Sequence, residues 1–167
     1  MRIAALDLAS LTGIAIGRPG EAPECRTEAL GEPKNRGAAL MRVVSTLIRD
    51  EGAGELVIEA PVLKMGPKAS ADTLRILVGL AEIAKAAATY LRTPCVEIEV
   101  STVRKHFLGF NPKGRDNAKR LVLGRCRALG WRVRNDNEAD AAALLDCRLS
   151  QISAAHAVAG APLFRGA

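Results

Sequence analysis

Aromatic side chains are scarce: one Trp, one Tyr and three Phe in 167 residues. A single-strand platform stacks bases on several aromatics, so this composition argues against one. Histidine is scarcer still, with only His106 and His156. The four cysteines, Cys25, Cys95, Cys126 and Cys147, form no CxxC pair. That spacing disfavours a structural zinc site. Scattered thiols suit a reducing compartment, so a cytoplasmic location is expected. No apolar run reaches the roughly 18 residues that span a bilayer, and no membrane association is expected. The opening MRIAALDLAS has a short apolar stretch with an acid at position seven. It reads as a strand of the mature protein and not as a leader. No phosphate loop of the GxxxxGK type occurs either.

What is abundant is apolar content, at 49%, and positive charge, at a net +6. The first makes disorder improbable on composition and permits one domain with a real core. The second is uneven: ten Lys or Arg and one acid, Asp116, lie between Thr102 and Arg134. A local excess of this kind suggests a polyanion surface, and duplex backbone contact fits it. A solvated face of two helices is the bland alternative.

Periodicity gives the layout. Strands are expected at residues 2–8, 12–17 and about 24–30, the first two joined by a tight turn near Ser10 to Gly13. Pro33 is placed to open a helix, and Leu40, Val43, Val44, Leu47 and Ile48 make one helical stripe over 38–49. ELVIEA (55–60) reads as a central strand with an acid at its tip, followed by a loop over 61–70 with Lys64 and Lys68. A long helix over about 71–91, a strand over 95–100 and a short helix over 102–108 capped by Ser101 come next. A basic helix over 116–129 stops at Gly130, a brief extended piece covers 131–134, and a last helix covers about 136–153. The layout is α/β, with a mixed sheet. One domain is expected over 1–153, with a flexible C-terminal tail over 154–167, rich in Ala, Gly and Pro.

The acids carry the chemistry. Asp7 and Glu59 lie on two apolar strands, where an unpaired charge is costly to bury. Strands in a sheet are about 4.8 Å apart, so side chains on one face can meet around a cation. Asp136 and Asp140 are four apart and share a helix face with Asn137, while Glu138 points elsewhere. Small residues at Ala139 and Ala141 to Ala143 let that helix lie close to a sheet. Taken alone, Asp136 would be a plain N-cap. Clustered carboxylates repel, and a divalent ion relieves that repulsion. Hard oxygen donors without a His or Cys cluster point to Mg²⁺ or Mn²⁺. Two such ions, about 3.5–4 Å apart, suit phosphodiester hydrolysis.

At this point the sequence resembles the RuvC-like Holliday junction resolvases of the RNase H-like superfamily. The matching pieces are ALDLASLTGIAIG, LVIEAP, VSTVRKHFLG with the basic helix after it, and NDNEADAAALL, which span most of residues 1–150. The resemblance implies an RNase H-like mixed sheet flanked by helices. It further implies a homodimer and Mg²⁺-dependent paired nicking of four-way DNA junctions. Asp7 and Glu59 match the family's first and second acids, and Asp140 its last. The third ligand falls on Asn137 by position or on Asp136 by chemistry, and both stay open. Basic residues carry over at Arg104 or Lys105 and at Lys119, with a role at the scissile phosphate. Lys64, Lys68, Lys113, Arg115 and Arg120 join them as expected DNA contacts. Where several family members place an aromatic wedge, this chain has APVLKMG, leaving Leu63 or Met65 for that role or for the core.

Three other functions compete. A nuclease of RNA–DNA hybrids, flaps or other branched DNA would share the same acids. A catalytically dead DNA-binding protein would keep the fold without needing the acids. An actin-like ATPase also opens with a strand, an Asp and a Thr-Gly turn, but it requires two such domains. The two-fold character of a four-way junction points to a C₂ dimer. The apolar helix over 71–91, with Leu74, Leu77, Val78, Ala81 and Ala84 to Ala88, is the candidate interface or simply core.

Overall fold

The computed structural model describes residues 1–61, 71–154 and 156. Three strands open it: β1 (Arg2–Asp7), β2 (Leu11–Gly17) and β3 (Glu24–Ala29). The turn between β1 and β2 is closed by Thr12, whose buried hydroxyl donates to the Ala9 carbonyl at 2.8 Å. A 3-10 turn at Pro33–Asn35 leads into helix α1 (Arg36–Arg49), so Pro33 opens the turn and not the helix itself. Strand β4 (Ala53–Glu59), helix α2 (Ala71–Tyr90) and strand β5 (Cys95–Ile98) follow. The chain ends in helices α3 (Val100–Leu108), α4 (Arg115–Ala128) and α5 (Asp136–Ile152).

The sheet order is β3-β2-β1-β4-β5. β1 pairs antiparallel with β2, and β2 with β3, whereas β1–β4 and β4–β5 are parallel. The two parallel joins need crossovers, and α1 and α2 supply them. Alternation along the strands splits the core into two layers. Ala4, Leu6, Ile14, Ile16, Leu56 and Ile58 pack with α1 and α2. Ile3, Ala5, Ala15 and Val57 pack with α3, α4 and α5 on the opposite face. Counting on by two from Ala5 and Val57 puts Asp7 and Glu59 on the α5 face.

Some expectations need correction. Ser101 does not cap α3, because the helix begins at Val100 with Glu99 in the cap position and no side-chain cap bond. β5 ends at Ile98, two residues early, for the same reason: the turn into α3 takes Glu99 and Val100. Residues 131–134 pair with no strand. The stop at Gly130 is as expected, with φ +75° just beyond α4. Along α2, Leu80, Ala81, Ala84, Ala87 and Ala88 are spent on the core of this chain. Lys64, Lys68, Leu63 and Met65 lie outside the described residues, as does the tail except Ala154 and His156. His156 is buried, and its Nε2 meets Asp146 Oδ1 at 2.9 Å.

Candidate active site

The site is built on one transverse row of the sheet. Asp7 at the end of β1 sits opposite Gly13 of β2, and Gly13 sits opposite Thr27 of β3. On the other side of β1, Leu6 is opposite Ile58. That register carries Glu59 to the C-terminal end of β4 beside Asp7. Ligands in α/β sheets collect at such strand ends.

The first turn of α5 rests on this row. A Cβ added at Gly13 would lie 2.0 Å from the Asn137 carbonyl oxygen, an impossible distance. Glycine is therefore required by close approach of the helix backbone. Thr27 then clamps the same turn. Its hydroxyl donates to Glu138 Oε1 at 2.9 Å and accepts from Asn135 Nδ2 at 2.9 Å. Glu138 is fully buried and also accepts from the Arg134 backbone N–H at 2.8 Å and Arg134 Nε at 2.9 Å. Asn135 caps the helix by accepting from the Glu138 N–H at 2.9 Å. The cap is thus Asn135, and Asp136 is the first helical residue. Glu138 does point away from the acids, and what it points into is β3. Its carboxyl is held low: burial opposes ionisation, but the Arg134 N–H, the Arg134 side chain and Thr27 outweigh it. The Asn-x-x-Glu spacing at 135–138 is a capping-box signature in which Asn takes the Ser or Thr position. It was the available signal for these two residues. Nothing in the sequence alone marks Thr27.

With α5 fixed, Asp140 faces the strand acids. Burial pushes the Asp7 carboxyl up to about 6, opposed by Lys119 and Arg115 and reinforced by Asp136. Burial first, then Asp7 and Asp140, push Glu59 to about 8 against Arg104 and Lys119. Burial and Asp7 raise Asp140 to about 7, against Lys119 and Arg104. Three recessed carboxyls, with Asp7 raising both Glu59 and Asp140, are costly to ionise together. The neighbouring strand shows the contrast. Glu55, on the same face of β4, is satisfied by Arg148 of α5 at 2.6 and 2.9 Å. The Asp7 and Glu59 side chains make no hydrogen bond or ion pair with any described residue.

Asp136 behaves differently. It accepts a hydrogen bond from Lys119 of α4, and that bond holds its carboxyl below the usual range. The same ammonium is 3.9 Å from Asp140 Oδ2. Among the basic residues expected to contact DNA, Arg104, Arg115 and Lys119 act electrostatically on the acids. Lys105, Lys113 and Arg120 are exposed, and Arg120 bonds Asn117 along its own helix.

The donor set fits a hard divalent cation: carboxylate oxygens only, recessed and mutually repelling. As placed, no group of three or more His, Cys, Asp or Glu among the described residues is arranged to hold one ion. The only tryptophan takes no part. Trp131 stacks on Phe107 with centroids 5.6 Å apart, and Arg125 lies over the Phe107 ring.

No family model and no curated protein matches this sequence. Solved structures do. Thermus thermophilus RuvC is similar at a TM-score of 0.60 and 18% identity, over 86% of this chain and 90% of its own. The fowlpox virus Holliday junction resolvase is similar at 0.59 and 11%, over 92% and 100%. The yeast mitochondrial Holliday junction resolvase Ydc2 is similar at 0.58 and 15%, over 98% and 81%. The first two have also been solved with Holliday junction DNA. The mixed five-stranded sheet flanked by helices is therefore the fold of the RuvC-like resolvases.

Proposed function

We propose that this protein is a divalent-metal-dependent endonuclease that resolves four-way DNA junctions by paired nicking. The observation that carries the proposal is the recessed trio of Asp7, Glu59 and Asp140, on a fold otherwise seen in junction resolvases. A structural acid in a core is paired, as Glu55 is with Arg148. Lys119, Arg104 and Arg115 offset these three only in part, and a bound cation would relieve the remaining repulsion.

Asp7, Glu59 and Asp140 would hold Mg²⁺ or Mn²⁺, two ions in all, with Asp136 or Asn137 as a further donor. Such ions, when bound, supply a nucleophilic water and charge for the leaving oxygen. The protein supplies the rest. Arg104, Arg115 and Lys119 ring the acids and present fixed positive charge to a phosphodiester. Lys105, Lys113 and Arg120, exposed nearby in α3, the following loop and α4, extend that surface along the DNA backbone. Lys64 and Lys68 are assigned the same role. Two sites are needed for two cuts, so the working unit is a C₂ homodimer.

The test is a panel of synthetic four-way junctions, flaps, RNA–DNA hybrids and plain duplex with Mg²⁺. The junction should be cut at least about 100-fold faster than duplex, a transition-state difference of about 2.7 kcal/mol. Preference for the hybrid or the flap would keep the metal chemistry and replace the substrate. Light scattering at micromolar concentration should give a dimer mass.

A further inference from the structure

Lys119 stands between two acids of α5 that differ in exposure and in how they meet its ammonium. Asp140 is recessed, with 20% of its side chain exposed, and its charge is felt by Glu59. Asp136 is the outer of the two, with 42% exposed, and it takes the hydrogen bond from the Lys119 ammonium. We infer that Asp136 is a positioning residue for Lys119, tying α4 to α5, and is not a metal ligand. This deepens the nuclease reading and depends on it.

A lysine side chain has about 2 kcal/mol of rotamer entropy to lose when its ammonium is fixed. Lys119 follows the buried Ala118 on α4 and is itself half-buried, and its ammonium is held by Asp136. Asp136, at the start of α5, gives the tip a fixed partner beside the acid trio. One helical turn further on, Asp140 lies 3.9 Å from the same nitrogen. A carboxylate engaged with an ammonium has fewer lone pairs for a cation, and an ion bound there would sit against the Lys119 charge. The direction of the ionisation shifts agrees. Asp7, Glu59 and Asp140 are pushed up, whereas Asp136 is pulled down by Lys119.

The experiment compares wild type, Asp136→Asn, Asp136→Glu, Asp140→Asn, Lys119→Ala and the double variant Lys119→Ala with Asp136→Asn. Mn²⁺ affinity is read by calorimetry, junction cutting by single turnover, and metal-free stability by thermal unfolding. Asp136→Asn should keep Mn²⁺ affinity within about twofold while slowing cutting roughly 10- to 100-fold. Asp140→Asn should lose Mn²⁺ affinity by about tenfold or more, as ligand removal does. The double variant should cut no more slowly than Lys119→Ala alone, and Asp136→Glu should restore most of the rate. A tenfold loss of Mn²⁺ affinity in Asp136→Asn, an additive double variant, or unimpaired cutting overturns the assignment. If the wild type neither binds Mn²⁺ nor cuts, the nuclease reading itself fails. The tie between Lys119 and Asp136 is then judged by the unfolding cycle, where additive midpoints reject it.

Discussion

Asp7 is a residue whose position damages the metal-free protein. Its carboxyl titrates near 6 in the fold, with Asp140 near 7 and Glu59 near 8, all above their ordinary values near 4. The folded state therefore binds protons more tightly than the unfolded chain. Stability contributed by these groups falls as pH rises from about 4 through the folded values and levels off above about 8. Metal-free protein should thus have a lower unfolding midpoint at pH 8.5 than at pH 5.5, and Mg²⁺ should recover most of the loss at the higher pH. A midpoint flat across this range, with and without Mg²⁺, would show that the three acids are not strained. Asp7→Asn removes one of the costly charges and should raise the metal-free midpoint at pH 8. The acids themselves were legible in the sequence, because each interrupts an apolar pattern where water would otherwise be excluded. The sequence also set Asp136 apart from the other acids, but did not show its bond to Lys119, which reaches across from another helix.

At the scale of elements, α5 matters most. Its alanines let it lie on the sheet, and its first turn is seated by Gly13 below and Thr27 beside it. Gly13→Ala must displace the helix backbone, and should cost about 3 kcal/mol, near the upper end for an overpacked core. It should also move Asp140 away from Asp7, so cutting falls further than the stability loss alone explains. Glu138→Gln keeps the shape but weakens bonds to Arg134 and Thr27, with an expected cost of about 1–3 kcal/mol. Chemical denaturation measures both, and a loss under about 0.5 kcal/mol in either variant would mean the seat is not needed. Helix and strand positions followed from the apolar pattern: α1 buries one stripe, whereas β1, β2 and β4 are near-continuous apolar runs because helices cover both faces of the sheet. The α5 seat did not, because it joins residues 13, 27 and 138, and spacing along one element carries no information about such a row. Glu138 points away from the acids, as its spacing implies, and its bonds to Thr27 and Arg134 nevertheless hold the turn that carries them.

For the molecule as a whole, the sheet separates two kinds of surface. The helices α1 and α2 close one face with an apolar layer, while α3 and α4 bring Arg104, Arg115 and Lys119 to the rim of the acid site. Binding driven by such a rim is salt-dependent. The logarithm of junction affinity should fall linearly with the logarithm of salt concentration, and each phosphate contact removed should reduce the slope by about 0.9. Replacing Lys113 or Arg120 with Ala should lower the slope by about one such step, without changing the cutting rate at saturation. An unchanged slope removes that residue from the interface. The mixed sheet flanked by helices agrees with the likeness noted from the sequence. The dimer was argued from the substrate and is still to be measured. Part of α2 is already committed to this chain's own core, which leaves its outward residues, such as Ile76 at 40% exposure, for a partner.

We propose Asp7, with Glu59 and Asp140, as the centre of a metal-dependent cutting site. The most direct measurement is single-turnover cleavage of a synthetic four-way junction in Mg²⁺ by wild type and by Asp7→Asn, with junction affinity measured in parallel. Wild type should make paired cuts, the variant should lose about 1,000-fold or more, and affinity should be unchanged or tighter because a negative charge near the phosphate is gone. Cutting by Asp7→Asn within tenfold of wild type would contradict the proposal, as would loss of binding together with cutting.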